Sequence, residues 1–538
     1  MTAPVAGADA RFSRAWCALF AVAIVTAVVF RAWQLDSQIL IDDEWHAIHK
    51  LLHANARDIA THFGYADHSI PLTLYYRLLY TWLGLSEASM HAPMLVAGAA
   101  LVIAAPLLAR QWASWPTRAI WAALLACAPL LVYHSRIARP YAITSLLTFV
   151  AFLAFWRWRT GEKAPRGAAA WYVAATLIAG WMHPVTLPFT LSPFLFELAA
   201  CIRRTSSRTL FEIVRLGLAT ALALAIVIVP PLVIDWRMFL LKAGTHSVTL
   251  ESLYRTLLML AGTAHLPTLA AFALLAAWGG MRLVRRDRVL VAYFATIAIC
   301  GAAATFATKP QWIIHPLVAA RYLIPILPLA LLLVAEGIHA ALLYVRWPSV
   351  RPVLAALLIV AWVLQGPLPV QAYWPNQFPG HLRFQFDYDD AFNPYVTATP
   401  SERVPAFYRS LATLPPGSRT LIEAPWRLES DFNPHPWYQR VHRQHIKIGF
   451  VGSRCGVRDF GEYPEDPRMH MRQFVQLDAI LRGVTGGADY LVIHIAPWKT
   501  PPDATVEWPD MTQCLPAIES ALGSPVYRDE GMVVFPLR

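Results

Sequence analysis

The sequence is 538 residues long, 57% of them hydrophobic and only 15% charged, and its mean hydropathy is +0.43. Soluble globular proteins are about 45–50% apolar and about 25% charged, so this chain has too few charges to cover several soluble domains. The same composition excludes a disordered chain, a coiled coil and a disulfide scaffold. It predicts a polytopic membrane protein.

Long runs without a charged residue predict the membrane helices, since about 20 apolar residues span the ~30 Å hydrocarbon core of a bilayer. The runs are 15–30, 93–109, 119–133, 140–156, 168–196, 216–234, 264–281, 289–308, 322–335 and 352–372. The run 168–196 is long enough for two helices hinged near His183-Pro184. The prediction is an all-α membrane region of about 11–13 helices.

Orientation follows from the Lys and Arg residues on alternate loops. One set of loops, beginning with the N-terminus, carries eighteen of them, and the other set, up to residue 372, carries about eleven. The first set is predicted to be cytoplasmic, so the loops 34–92, 134–139, 235–263 and 308–321 and the chain beyond 373 face outward. The net charge of +11 is thus a topology signal, and nucleic acid is not needed as a partner.

The chain divides at residue 372. Residues 1–372 form the predicted transmembrane domain, whose first external loop, 34–92, contains short amphipathic helices at 44–60 and 70–84. Residues 373–538 are richer in charge and have apolar runs of strand length, which predicts a small external α/β domain. The predicted strands of this tail are 419–424, 488–495 and 531–536, and its predicted helices are 402–413, 470–482 and 511–522.

The six cysteines fall into two groups. Four lie in or beside apolar runs and read as small buried hydrophobic residues. Cys455 and Cys514 alone lie in the polar tail, where they could pair in an oxidising compartment. Whether they form a disulfide stays open from the sequence.

Three consecutive acids, Asp42-Asp43-Glu44, follow the first predicted span on the external side. Partial burial beside like charges raises the pKa of at least one carboxyl, which suits a general base, and the run is also a candidate site for a divalent cation. The alternative is a solvated helix N-cap, because acids are favoured in the first turn of a helix. Both interpretations stay open from the charge pattern.

Four further polar clusters are predicted to lie on the same face as this acidic run. They occupy residues 67–76, 135–141, 181–184 and 320–325. The opposite face carries only basic loops. The sequence therefore predicts a site at the external ends of the helices.

These clusters resemble the motifs of polytopic GT-C glycosyltransferases, in the branch with protein O-mannosyltransferases, aminoarabinose transferases and Rgt-type lipid A sugar transferases. The resemblance covers roughly residues 15–340 and rests on the acidic pair, on 68–76, on Ala138-Arg139-Pro140-Tyr141 and on 321–328. The chain departs from the branch in two places: Asp67-His68-Ser69-Ile70-Pro71 stands where His-Pro-Pro is frequent, and Asp42 is an extra acid. The resemblance implies a polyprenyl-monophosphate sugar donor, used on the external face with inversion at the sugar carbon.

A transferase of this kind needs a carboxylate to take the proton of the acceptor hydroxyl. Asp43 is the first candidate for this base, and Asp42 and Glu44 come next. The leaving lipid phosphate gains negative charge in the transition state and needs fixed cations near the membrane surface. The candidates, all at external ends of spans, are Arg139, Lys309, Arg321 and His183.

Each of these residues could instead have a purely structural role. The two arginines and Lys309 could be interface anchors with buried stems, and His183 could satisfy a carbonyl freed by the following proline. Substrate contacts are predicted for His68, Tyr75, Tyr141 and Tyr322, although tyrosines at such positions also form the aromatic belt of membrane proteins.

The predicted function is transfer of a sugar from a polyprenyl-phosphate carrier to an extracytoplasmic lipid, glycan or protein, by a multi-pass protein of the bacterial inner membrane. No Cys-x-x-Cys spacing is found in the external loops and no nucleotide-binding P-loop occurs, and no cofactor is predicted besides the candidate cation near Asp42 and Asp43. The alternatives are a transporter or lipid flippase, and a non-catalytic assembly subunit that keeps the fold.

Overall fold

The structure is a computed structural model. It describes residues 8–33, 35, 40, 44–63, 69–161, 166–206, 208–241, 244, 247–310, 313–368, 404–425, 438, 441–450, 468–470, 474–495 and 511–537.

The chain forms two compact units. The membrane unit consists of Met1–Trp33, Arg57–Leu72 and His91–Leu368, and the tail unit consists of Gln34–Ala56, Thr73–Met90 and Pro369–Arg538. The tail unit therefore includes two pieces of the first loop. The domain boundary at residue 372 stays a sequence prediction.

Eighteen α-helices precede residue 369 among the described residues. They are α1 Ala8–Ala32, α2 Trp45–His53, α3 Ala56–Thr61, α4 Ile70–Trp82, α5 Glu87–Leu108, α6 Trp115–Cys127, α7 Pro129–Ser135, α8 Tyr141–Thr160, α9 Arg166–Met182, α10 Leu187–Ile202, α11 Leu210–Ile234, α12 Trp236–Leu241, α13 Leu250–Ala261, α14 Leu266–Arg286, α15 Arg288–Ala307, α16 Pro316–Leu323, α17 Leu327–Leu342 and α18 Arg351–Leu364.

Eight of the described helices are long and apolar enough to cross a membrane, or nine if the pair α6 and α7, bent by 57° at Pro129, counts as one span. The chain is a multi-pass membrane protein. The sequence predicts about 11–13 spans. Fewer of the described helices qualify, because α9, with 17 residues, and α18, with 14, lie in predicted spans but are shorter than a full crossing. The hinge predicted at His183-Pro184 is present: α9 ends at Met182, and a 3-10 turn, Pro184–Thr186, leads into α10.

Small residues and a buried ion pair hold the membrane unit together. α14 and α17 cross with their backbones in contact, because Gly279 lies against the carbonyl oxygen of Leu333 and Gly337 against that of Leu275. Such close approach is typical of small residues at helix interfaces in membranes. Arg159 of α8 and Glu197 of α10 are buried and joined by a 2.6 Å ion pair.

The described part of the tail contains a six-stranded mixed sheet in the order β3-β2-β1-β4-β6-β5. Its strands are β1 Thr420–Ala424, β2 His445–Phe450, β3 Phe474–Gln476, β4 Tyr490–His494, β5 Tyr527–Arg528 and β6 Met532–Pro536. β1 pairs in parallel with β2 and β4, in the register Ile422 to Lys447 and Ile422 to Leu491, and β6 runs antiparallel to β4 and β5. The helices are α19 Ala406–Leu411, α20 Leu477–Leu481 and α21 Leu515–Leu522.

The predicted fold class, an all-α polytopic membrane protein with a C-terminal α/β domain, is confirmed. Three strands were predicted at their observed places. The sequence does not predict β2 or β5, and the helix predicted over 470–482 is wrong at residues 474–476, where β3 lies. The periodicity favoured a helix there because a three-residue strand is too short to show alternation.

The first-loop helices also form as predicted, with one break. The helix predicted over 44–60 is two helices, α2 and α3, separated at Ala54 and Asn55. The helix predicted over 70–84 is α4.

The cysteines separate as the sequence suggested. Cys514 of the tail is disulfide-bonded, whereas the four cysteines of the apolar runs, Cys17, Cys127, Cys201 and Cys300, are free thiols. Cys455, the proposed partner of Cys514, lies outside the described residues.

Candidate active site

The candidate site of the membrane unit begins at the turn between α7 and α8. Proline at 129 starts α7, which ends at Ser135, and Pro140 precedes the first residue of α8, Tyr141. Proline is favoured at the first turn of a helix because its missing N–H would be unpaired there anyway. The turn places the polar residues 134–141 next to the helix ends, where all of them are buried.

Two arginines of this turn have different environments. Arg136 is 1% exposed, and its guanidinium donates hydrogen bonds to the carbonyl oxygens of Phe30 and Trp33 at 3.2 and 2.8 Å. These carbonyls belong to the end of α1, so Arg136 caps that helix. Arg139 is 6% exposed and lies close enough to His134 to act on its ring electrostatically.

A row of rings links this turn to the two other helix ends that the sequence singled out. Tyr141 lies 4.8 Å from the ring of His134 and 5.4 Å from that of His183, and His183 lies 5.8 Å from Tyr322. Tyr141 starts α8, His183 follows α9, and Tyr322 belongs to α16. The structure thus brings three predicted site residues from three elements into one cluster.

Arg321 completes this cluster from α16. The carbon at the centre of its guanidinium lies 5.6 Å from the ring centre of Tyr141 and 5.4 Å from that of Tyr322. A cation over aromatic faces is stabilised by the ring quadrupoles. Arg321 also acts electrostatically on His134, as Arg139 does. The cluster of His134, Arg139, Tyr141, His183, Arg321 and Tyr322 is called the cation cluster below.

The backbone on both sides of His183 is hydrogen-bonded. The carbonyl oxygen of His183 accepts hydrogen bonds from the backbone N–H of Thr186 at 3.0 Å and from its hydroxyl at 2.8 Å. The carbonyl oxygen of Ala179, one turn earlier, accepts from the N–H of His183 itself. The carbonyl oxygens of Ala179 and His183 are thus paired on either side of the helix break, and the His183 ring faces the two tyrosines.

Lys309 is placed differently from the other phosphate candidates. It follows α15, is exposed and has a positive φ of 43°. Its carbonyl oxygen accepts a hydrogen bond from the N–H of Gly244. Within the described parts of the chain, no ring contact or hydrogen bond joins its side chain to the cation cluster.

The remaining predicted residues belong to the first loop. Glu44 is fully buried at the start of α2 and makes no capping hydrogen bond with its side chain, so it is not a solvated N-cap. The Tyr75 hydroxyl donates to the carbonyl oxygen of Ser89 at 3.0 Å, within the tail unit. Asp42, Asp43 and His68 lie outside the described residues.

His134 is the one member of the cation cluster that sequence reasoning missed. It stands at the end of the apolar run 119–133, directly before Ser135 and Arg136. A histidine that ends a span next to a basic motif is a usable signal, but the apolar run predicts hydrocarbon only up to Tyr133, which places His134 in the external loop.

The arrangement can bind an anion. Two guanidinium groups and two imidazoles gather in a largely buried place, where charge–charge interactions are much stronger than in water. Arginine can hold a phosphate with two parallel N–H bonds. Among the described residues, no group of three or more His, Cys, Asp or Glu side chains is arranged to hold a metal ion.

No family model and no curated protein matches the chain. Solved structures do resemble it. ArnT from Cupriavidus metallidurans bound to undecaprenyl phosphate is 14% identical, with 97% of this chain and 98% of that chain covered and a TM-score of 0.48. The oligosaccharyltransferase AglB from Archaeoglobus fulgidus, in complex with an inhibitory peptide and a dolichol-phosphate, is 12% identical, with 89% and 69% covered and a TM-score of 0.45. Both are GT-C glycosyltransferases, the class whose motifs the sequence resembles.

Proposed function

We propose that the protein is an inverting glycosyltransferase that moves a sugar from a polyprenyl-phosphate carrier to an acceptor on the extracytoplasmic face of the membrane. The observation that carries the proposal is the convergence of Arg321 and His183 on Tyr141 and Tyr322 at the helix ends, with Arg139 close enough to act electrostatically on His134 of the same cluster. These residues come from three separate motifs of the sequence, and a merely structural role does not require them to meet.

The cation cluster supplies the electrostatic part of the reaction. When the bond between the sugar carbon and the phosphate oxygen breaks, its electron pair stays on the phosphate and adds a negative charge. Guanidinium groups fixed in a low-dielectric site stabilise that charge without having to reorganise. Arg139 and Arg321 take this role, and Tyr141 and Tyr322 position Arg321 and provide apolar faces for a sugar ring.

The acidic run supplies the base. A carboxylate that takes the proton of the acceptor hydroxyl allows its oxygen to attack the sugar carbon from the side opposite the phosphate, which inverts that carbon. Asp43 is the proposed base, with Asp42 and Glu44 as the other candidates.

The proposed orientation puts the N-terminus in the cytoplasm and the tail outside, in the bacterial inner membrane. The excess of Lys and Arg on alternate loops supports it. The disulfide at Cys514 supports it independently, since disulfides persist in oxidising compartments. The acceptor, whether lipid, glycan or protein, therefore lies outside the cytoplasm.

Mass spectrometry of envelope glycolipids and glycoproteins tests the proposal. Cells that lack the gene should lose one sugar from one acceptor, and the wild-type gene should restore it. Asp43→Asn should reduce that restoration by roughly 100-fold or more, the usual effect of removing a general base. Arg321→Gln should reduce it comparably, whereas Arg346→Gln, at an exposed arginine distant in sequence from every motif, should restore it fully.

Two results would contradict the proposal. Full restoration by both Asp43→Asn and Asp42→Asn would remove the proposed base. Unchanged sugar composition, with altered distribution of a lipid between the two leaflets, would favour the flippase alternative instead.

A further inference from the structure

The inference concerns His134, near the end of α7. Its side chain is 3% exposed, and neither ring nitrogen has a hydrogen-bond partner among the residues that the structure describes. A neutral imidazole carries one N–H donor and one acceptor nitrogen, and the charged form carries two donors. Buried polar groups in native proteins are nearly always paired. The histidine is thus placed for a partner that the described protein groups do not supply.

The surroundings of His134 indicate the chemistry of that partner. Arg139 and Arg321 both act electrostatically on the ring. The rings of Tyr133 and Tyr141 pack edge to face against it, each with a centre-to-centre distance of 4.8 Å. Two guanidinium groups beside a buried N–H favour an anion that offers several acceptor oxygens at once, and a phosphate group meets that requirement.

We propose that His134 is a further ligand of the donor phosphate, donating a hydrogen bond from its ring N–H to one phosphate oxygen while Arg139 and Arg321 bind the others. This inference rests on the proposed function, because it adds a residue to the same site. It assigns α7 a direct part in donor binding, in addition to the α7–α8 turn and α16. The two tyrosines fix the ring plane, so the N–H is oriented before the lipid arrives.

The test measures lipid binding by the full-length protein in phosphatidylcholine nanodiscs. The probes are undecaprenyl phosphate, undecaprenol, which lacks the phosphate, and phosphatidic acid, which carries a phosphate on a different lipid. The wild type should bind undecaprenyl phosphate more tightly than either of the others. His134→Phe keeps an aromatic ring between the tyrosines but removes both nitrogens, and it should raise the Kd for undecaprenyl phosphate by roughly ten-fold or more.

Two matched variants separate a ligand from a structural residue. His134→Gln keeps a side-chain N–H donor and should recover part of the lost affinity. His265→Phe, at an exposed histidine before α14, should leave the Kd unchanged. The unfolding temperature of lipid-free His134→Phe should equal or exceed that of the wild type, because the change removes a buried polar group that has no partner; a structural histidine would lower it.

The outcomes distinguish this inference from the proposed function. Equal affinities of the wild type and His134→Phe, with weakened binding in Arg321→Gln, would overturn the role of His134 and leave the proposed function standing. A wild type that binds undecaprenol as tightly as undecaprenyl phosphate would overturn both. Equal binding of phosphatidic acid and undecaprenyl phosphate would identify a general phospholipid headgroup site and also overturn both.

Discussion

Two arginines three positions apart show that the residue type alone does not determine whether an arginine caps a helix or joins the candidate site. Arg136 donates to backbone carbonyls at the end of α1, and Arg139 lies in the cation cluster. Both are buried arginines of one turn, and both read in the sequence as basic residues at a span end. The difference arises from which helix ends the turn faces, and that depends on contacts more than 100 positions away. Residue roles in such a motif therefore need the tertiary structure.

A histidine of the tail yields a prediction about acid stability. His442 is fully buried; its Nδ1 accepts the backbone N–H of Gln444 at 3.0 Å, and its ring stacks on Tyr408. Burial lowers the pKa of His442 to about 3, whereas an unfolded histidine titrates near ~6.5. The unfolded tail binds the extra proton between these values. The stabilisation is fully present above pH ~6.5 and falls by about 1.4 kcal/mol per pH unit as the pH drops toward 3.

Thermal unfolding of the full-length protein across that pH range measures the effect. His442→Asn keeps a side-chain acceptor but cannot titrate, so its unfolding temperature should fall less steeply with acid than that of the wild type. His265→Asn is the matched control and should follow the wild type. If the unfolding temperatures of all three proteins fell in parallel, His442 would not be the cause of the loss of stability at low pH.

At the scale of the helices, adjacent glycines in α14 provide a direct comparison. A Cβ on Gly279 would overlap the carbonyl oxygen of Leu333 in α17, whereas a Cβ on Gly280 would meet nothing within 4 Å. Gly279→Ala should therefore push the two helices apart and destabilise the protein by about 1–3 kcal/mol. Gly280→Ala should stabilise it slightly, since alanine favours a helix by up to about 1 kcal/mol over glycine.

Unfolding temperatures of the two variants in the same detergent measure this difference. The substitutions are chemically identical and one residue apart, so detergent and expression effects cancel. A Gly280→Ala variant as unstable as Gly279→Ala would mean that α14 does not meet α17 through Gly279.

The elements themselves were largely predictable because their signals are local. Apolar runs gave the spans of α1, α5, α8 and α15, proline marked the break after α9, and alternation gave β1, β4 and β6. The exceptions have local causes as well. The bend between α6 and α7 at Pro129 divides one apolar run, and the strand β3 is too short to carry a period. The contacts that build the candidate site were not predictable, because the rings of Tyr141, His183 and Tyr322 are brought together by three separate helix ends.

For the molecule as a whole, the turn before α5 fixes the tail to the first loop within the tail unit. Leu85 exchanges backbone hydrogen bonds with Arg468 and His470, at 2.7 and 2.8 Å, and the Arg468 guanidinium lies 4.2 Å from the ring centre of Tyr80. Gly84 has a φ of +80°, and a Cβ there would overlap the His470 ring. This one glycine thus permits the contact between the tail and the loop.

Gly84→Ala should weaken that attachment. Limited proteolysis of the protein in membranes should then release tail fragments several-fold faster than from the wild type, because local opening exposes backbone to the protease. Gly483→Ala is the matched control: its φ is +87°, but a Cβ there meets nothing within 4 Å. It shares the backbone strain of a left-handed alanine without the overlap. Equal cleavage of both variants would assign the effect to strain alone.

The ion pair between Arg159 and Glu197 also constrains how the chain is made. α8 leaves the ribosome first with an arginine near its end, and α10 follows, after α9, with a carboxylate inside an apolar helix. An unpaired charge costs up to about 2.5–3.5 kcal/mol inside a membrane helix, the upper figure applying at its centre, whereas the two charges of the pair neutralise one another. Release into lipid therefore costs the least free energy when α8, α9 and α10 leave the insertion channel as one group. In that case Glu197 determines when the three helices enter the lipid.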